Sequence, residues 1–152
     1  MKPKSDRYKI MVLIFFASTV FFAACAAKKG EPLELSKVCD PGNDGKYLEV
    51  KGVIAEPTSV FCSNIGGGRM ECPFELSDAP GGEPKMRVEI EEGSGANTVD
   101  KIPSGYKKGD IKIHDNTGSQ VMIGSDVMRL TGKTSISPDA KACFMEVDKI
   151  EK

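Results

Sequence analysis

Several residue types on which enzymes depend are scarce in this sequence. Its 152 residues contain one histidine, His114, and no tryptophan. No serine stands in a Gly-x-Ser-x-Gly setting, and no two cysteines are separated by two residues, so the common nucleophile, zinc, haem and thioredoxin patterns are missing. Asp115 follows His114, but neighbouring residues of a strand point to opposite faces and form no acid–base dyad. We therefore expect no enzymatic activity, no metal and no cofactor.

A long apolar run is also missing. Residues 10–24 form a stretch of 15 residues without a charge, whereas a membrane-spanning helix needs about 20 apolar residues. Basic residues precede this stretch, and two small residues and a cysteine follow it: Lys2, Lys4, Arg7 and Lys9, then Ala23, Ala24 and Cys25. This order is typical of a signal peptide.

The segment that ends at Cys25 resembles the signal of bacterial lipoproteins, although Phe22 stands where an aliphatic residue is usual. The resemblance implies that residues 1–24 are removed and that Cys25 carries diacylglyceryl and palmitate-type acyl chains. It places the protein at the bacterial cell envelope. In some bacteria, an aspartate directly after the lipidated cysteine retains a lipoprotein at the inner membrane. Ala26 occupies that position here, which predicts that the protein is located at the outer membrane. The alternative is an ordinary secretory signal that is cut nearby, which would leave Cys25 as an extracellular thiol.

Removal of the leader changes the charge of the chain. The remaining 128 residues carry 17 basic and 21 acidic side chains, a formal charge of −4. Residues 25–37 are charged and have little apolar periodicity, so we interpret them as a lipidated tether. Residues 38–152 are long enough for one domain with its own core.

Export also predicts the state of the other four cysteines. Cys39, Cys62, Cys72 and Cys143 are an even number in an oxidising compartment, which favours two disulfides over a zinc site. Four cysteines allow three pairings. Three glycines between Cys62 and Cys72 favour a tight turn that would bring these two together. Cys39 and Cys143 then remain to join the start of the domain to its last strand.

Most of the domain shows the alternation of half-buried strands. Leu48, Val50 and Ile54 alternate with polar residues, and similar patterns recur at 71–78, 85–92, 126–137 and 142–150. Residues 110–123 predict two short strands around an Asn116-Thr117-Gly118 turn. The best candidate for a short helix is residues 96–102, in front of Pro103. The domain is predicted to be mainly β, as a sandwich or a small barrel.

The strand segments, from "LEVKGVI" to "MIGSDVMRLTGKTS" and "CFMEVDKI", resemble bacterial OB-fold proteins. The resemblance covers residues 46–151 and implies a small OB-like barrel of five or six strands, with Gly52 at a bend of the first strand. The polar insert at 93–110 departs from the family pattern.

OB-folds bind ligands on the exposed face of their second and third strands and on nearby loops. Nucleic acid is not expected here, because the domain is acidic and keeps only five aromatic residues. We expect a non-catalytic module that binds an envelope protein, a glycan or a small ligand. The candidate contact residues are Tyr106, Lys107 and Lys108, in the insert. The alternative is an envelope hydrolase or other enzyme whose site is not recognisable from sequence.

Overall fold

The computed structural model describes residues 28–64, 68–107, 109–139 and 142–152. The leader, Cys25, most of the glycine turn and Lys108 therefore lie outside the described residues. The described residues form eight strands: β1 (Glu31–Pro32), β2 (Tyr47–Ala55), β3 (Glu71–Ser77), β4 (Pro84–Glu91), β5 (Ile113–His114), β6 (Gln120–Val121), β7 (Val127–Ile136) and β8 (Cys143–Glu151). Two short 3₁₀ helices, Leu35–Lys37 and Pro41–Asn43, precede β2. The prediction of a mainly β domain is confirmed.

Five of the strands close into a barrel. The sheet runs β2-β3-β4-β8-β7, and β7 pairs again with β2. All of these pairs are antiparallel except β4 with β8, which are parallel. The architecture is the small OB-like barrel that the strand signature predicted. A separate hairpin, β5 with β6, lies in the connection between β4 and β7.

The barrel strands bury one face each, as the alternation predicted. Leu48 and Val50 of β2, and Phe74 of β3, are at most 1% exposed. Corresponding positions of β4, β7 and β8 fill the rest of the core: Val88, Ile90, Met128, Leu130, Met145 and Ile150. Gly52 lies where β2 passes from β7 to β3. A Cβ at this position would lie 2.7 Å from the carbonyl oxygen of Ser77, so the close approach of the two strands requires a glycine.

The segment before β2 differs from the expected tether. Residues 31 and 32 pair with β2 as a parallel strand, and the side chains of Leu35 and Val38 belong to the core. The chain is thus packed against the barrel from Gly30, which is buried. The sequence does not predict this packing, because Leu35 and Val38 are isolated apolar residues that form no periodic pattern. Cys39 bonds to Cys143 and so joins this segment to the start of β8.

The insert at 93–110 forms no helix at 96–102. Asn97 adopts a positive φ of 60°, and Val99 instead makes isolated β-bridges with Glu92 and Ile113. The Asn97 side-chain oxygen accepts a hydrogen bond from the Ile150 N–H at 2.8 Å. Because Val99 is fully buried, tertiary contacts with the barrel decide the local conformation. The insert is therefore held against β4 and β8.

Candidate functional site

Four large hydrophobic side chains of the described residues are exposed, in the connection from β2 to β3 and around the start of β7; we call this end of the barrel the distal end. At this end β2 finishes and β3 and β7 begin: Val53 pairs with Val127, and the Gly124 N–H donates to the Ile54 carbonyl. The exposed fractions are 81% for Phe61, 40% for Met70, 61% for Met122 and 56% for Val127. The residues at which the chain enters the barrel, 30–32, lie instead beside the start of β2.

Phe61 is exposed although the residues around it are fixed. The preceding Val60 is buried, and its N–H donates to the Tyr106 hydroxyl oxygen at 2.5 Å. The following Cys62 forms the second disulfide, with the buried Cys72. The next residue, Ser63, exchanges two backbone hydrogen bonds with Glu71, of 2.8 and 2.9 Å. The structure thus contains both predicted disulfides, and this one holds the backbone beside an exposed aromatic ring.

A groove of about 480 Å³ lies beside Phe61. Its lining combines apolar residues with an acidic, a basic and a hydroxyl side chain; it includes Met70, Ile102, Pro103 and Tyr106 together with Glu92, Lys101 and Ser104. A side chain of ordinary size fits such a volume, and binding grooves commonly combine apolar walls with a few polar groups.

The predicted contact residues have different surroundings. Tyr106 is half-buried, lines the groove and accepts the hydrogen bond from Val60. Lys107 is exposed, and its backbone N–H donates to the Asp110 carboxylate at 2.8 Å. Lys108 lies outside the described residues. Sequence reasoning missed Phe61, since an aromatic residue next to a cysteine is as compatible with a core position as with an exposed one.

Acidic side chains occupy the outer face of β3, β4 and β8. Glu71 on β3 approaches Glu89 on β4, and Glu89 pairs with Glu146 on β8. The pKa of Glu71 is raised by burial, by a hydrogen bond with Glu89 and by the negative charges of Glu89 and Glu146, against a smaller opposing effect of Arg69. Arg69 and Arg87 contact Glu91 and Glu89 at 3.0 and 2.7 Å. Burial is thus the main cause of the raised pKa of Glu71, and the neighbouring carboxylates add to it.

A larger groove, of about 580 Å³, lies between the entry segment and β2. Glu34, Glu49, Lys51 and Asp78 contribute to its lining, together with Leu33 and Leu35. Glu34 is already paired with Lys37 at 2.9 Å. Because no large exposed hydrophobic side chain among the described residues borders this groove, it lacks an exposed anchor such as Phe61 and is a weaker candidate than the Phe61 groove.

The single histidine contacts an aspartate other than its sequence neighbour Asp115. His114 Nε2 contacts Asp100 Oδ1 at 3.0 Å, and Nδ1 lies 3.3 Å from the Gly118 carbonyl oxygen. Asp115 instead accepts hydrogen bonds from the Thr117 hydroxyl and from the N–H groups of Thr117 and Ser119. These bonds, with that of the Thr117 hydroxyl the largest, lower the pKa of Asp115. Asp115 therefore stabilises the β5–β6 turn.

One group of possible metal ligands comes together within the described residues. Cys62, Cys72 and Glu92 have ligand atoms within 4.8 Å of one another. The two sulfur atoms are joined in a disulfide, and a metal binds the thiolate form of cysteine. The oxidised protein therefore has no thiolate pair here to hold a metal.

Comparison with known proteins gave no relative. The chain matches no protein-family model, no curated protein and no solved structure. Among the described residues, no helix has the length and apolar character needed to cross a membrane.

Proposed function

We propose that the chain is a bacterial envelope lipoprotein, acylated on Cys25 at the outer membrane, whose OB-like barrel is a non-catalytic module that binds a partner protein. One observation carries the binding part of the proposal. Among the described residues, four large hydrophobic side chains are exposed, and all four belong to the distal end, away from the point where the anchored segment enters the barrel: Phe61, Met70, Met122 and Val127.

The position of the barrel relative to the anchor supports the same function. Gly30 is already buried, and it is five residues beyond Cys25. Five fully extended residues span at most about 18 Å. The lipid would therefore hold the entry side of the barrel close to the membrane, and the distal end would be presented away from it.

A protein suits the distal end better than a glycan or a small molecule. Phenylalanine and methionine are enriched in the centres of protein–protein interfaces, and contiguous exposed apolar surface marks interaction sites. Small ligands are usually buried in concave sites, whereas Phe61 beside the groove is 81% exposed. Glu92 and Lys101 are the charged residues of the groove lining.

The alternative is an envelope hydrolase, for which the His114–Asp100 contact is the relevant observation. In a catalytic triad, one ring nitrogen is held by a carboxylate and the other must face a nucleophile. Here Asp100 contacts Nε2, and Nδ1 faces the carbonyl oxygen of Gly118. Neither His114 nor Asp100 lines the Phe61 groove. The geometry therefore favours the binding module.

Two readouts on the full chain test the proposal. Cells that express the wild type or Cys25→Ala are fed a clickable fatty acid and then fractionated. We expect label and membrane association only for the wild type; equal labelling of the variant would rule out the anchor.

A photo-cross-linking amino acid at Met122 or at Lys133 tests the binding module in intact cells. We expect a protein adduct from Met122 and none from the control position Lys133, which lies at the opposite end. Absence of an adduct from Met122, or an adduct from Lys133 alone, would contradict the module.

A further inference from the structure

The backbone on both sides of Phe61 is fixed, and this is unusual for a residue whose side chain contributes little to the core. Val60 is held by the Tyr106 hydroxyl, Cys62 by a disulfide and Ser63 by two hydrogen bonds to Glu71. Phe61 itself is 81% exposed. An anchor that is ordered before binding loses less conformational entropy when a partner covers it. This geometry is that of an interface hot spot, where aromatic side chains dominate the binding energy.

The groove beside Phe61 supplies the complementary half of such a contact. Met70, Ile102 and Pro103 form apolar walls, so an apolar side chain of the partner would be desolvated on entering. Phe61 stands at the edge of the groove and would pack against the same partner side chain. The combination of a protruding ring and an adjacent apolar groove fits a polypeptide surface with its own protruding residue.

The charge near the groove indicates what surrounds that residue on the partner. Glu92 and Lys101 balance each other in the groove lining, and Glu91 is paired with Arg69 at 3.0 Å. Glu71, which follows Met70 in the chain, belongs to the acidic outer face. Glu71 lies against Glu89, and burial together with this carboxylate raises its pKa. A partner cation placed between Glu71 and Glu89 would remove that repulsion, and complementary charge favours association and register.

Other occupants do not fit the same surface. After cleavage, Cys25 to Lys28 would span at most about 11 Å, whereas the nine residues of β2 separate the entry point from the distal end. The chain's own N-terminus and the anchoring membrane are therefore too far away. The acidic face also repels nucleic acid and anionic lipid, which bind through lysine and arginine.

From the fixed Phe61, the adjoining groove and the acidic face, we infer that Phe61 and its groove form the partner-binding site, and that the partner is a protein with an apolar side chain next to a lysine or arginine. This inference rests on the proposed binding function. Tyr106 then acts as a positioning residue, because its hydroxyl holds the backbone next to Phe61 and the ring forms part of the groove wall.

The test places the photo-cross-linker at Met70 in the full chain and compares adduct yields in cells. Phe61→Ala should lower the yield by about 10-fold, the effect of losing a hot spot. The matched control is Lys133→Ala, which removes an exposed side chain at the opposite end of the barrel and should change the yield less than about 2-fold. Because both side chains are exposed, neither change should alter the melting temperature, which is measured in parallel.

Two further variants test the partner's charge and the role of Tyr106. Glu71→Gln with Glu89→Gln should lower the yield of the Met70 adduct and weaken the dependence of that yield on salt. An unchanged yield would contradict the inference that the partner presents a basic residue.

Tyr106→Phe should speed hydrogen exchange of the Val60 amide and lower the yield of the Met70 adduct, while the adduct from Met122 persists. If the amide exchanged faster with no loss of yield, Tyr106 would be structural only.

The outcomes separate the inference from the function on which it rests. A Met122 adduct that persists, with a Met70 yield unaffected by Phe61→Ala, would overturn the Phe61 site and leave the binding module intact. Absence of adducts from both positions in the wild type would contradict the proposed binding function itself. Loss of the adduct on nuclease treatment would contradict the inference that the partner is a protein.

Discussion

Gly132 shows at the scale of one residue how closely the strands of the barrel approach. It lies at the register shift between β7 and β8, and a Cβ there would lie 2.0 Å from the carbonyl oxygen of Glu146. The obstacle is backbone, so no side-chain rotation relieves it. The sequence places Gly132 within the strand signature, but only the pairing of β7 with β8 shows why a glycine is needed.

We predict that Gly132→Ala lowers the free energy of unfolding by at least about 2 kcal/mol, since overpacking of a filled site costs about 1–3 kcal/mol even where side chains can adjust. Chemical denaturation of the oxidised domain measures the effect. The control is Gly42→Ala, because a Cβ at Gly42 has no atom within 4 Å. Equal stability of the two variants would show that β7 and β8 can separate without cost.

Individual site residues were predicted less well than the strands. Tyr106 was chosen as a contact because an aromatic ring beside two lysines can pack on a ligand, whereas its hydroxyl also holds Val60. The exposure of Phe61 depends on the disulfide and on the path of the loop, and the neighbouring residues in the sequence predict neither. The contact of His114 with Asp100 joins residues 14 positions apart, and local spacing does not reveal it.

At the scale of elements, the long strands were predicted because each buries a single face. Leu48, Val50 and Ile54 in β2 show this period of two clearly. The expected helix at 96–102 failed because the bridges of Val99 to Glu92 and Ile113 override a weak local preference. The charged pattern of residues 25–37 predicts a tether, whereas residues 31–35 pack on the barrel; the pattern does not reveal this because the contacts come from only a few apolar residues.

The two disulfides close loops of very different length. Cys39 and Cys143 are 104 residues apart, and Cys62 and Cys72 only 10. In the chain-entropy model, a loop of about 100 residues stabilises by about 4.7 kcal/mol, and a loop of about 15 residues by about 3 kcal/mol. The longer bridge also ties the buried entry segment, including Val38, to the barrel.

We therefore predict that Cys39→Ala with Cys143→Ala destabilises the domain more than Cys62→Ala with Cys72→Ala, by about 1–2 kcal/mol in the chain-entropy model. Denaturant unfolding of the two double variants, each with its remaining bridge intact, measures the difference. The shorter bridge should matter more for partner capture, because it holds Phe61. The reverse order of stabilities would mean that the entry segment stays packed without its bridge.

At the scale of the whole molecule, barrel closure could not be deduced from strand spacing alone. Short alternating strands fit a sandwich or a barrel, and the choice depends on whether β2 pairs with both β3 and β7. Those contacts join residues far apart in sequence. The resemblance to OB-fold proteins gave the answer that periodicity left open, and the parallel pairing of β4 with β8 agrees with it.

The last prediction concerns the orientation of the lipidated molecule on a membrane. The anchored segment reaches the barrel beside the start of β2, where Lys28 Nζ lies 4.4 Å from the centre of the Tyr47 ring. Lys133 pairs with Tyr47 at this end. Met122 lies at the distal end, beyond the other end of β2, about 26 Å further at roughly 3.3 Å per residue. A tether of at most about 18 Å, from Cys25 to Gly30, leaves little freedom to invert the barrel.

A fluorescent amino acid at Lys133 or at Met122 tests this orientation in protein purified in its lipidated form and reconstituted in vesicles with an acceptor dye on the lipid headgroups. We expect stronger energy transfer from position 133 than from position 122. The same labels in Cys25→Ala should show almost no transfer, because an acidic domain without its lipid has little attraction for the bilayer. Equal transfer from both positions in the lipidated protein would show that the distal end is not held away from the membrane, and the partner would then have to reach Phe61 along the membrane surface.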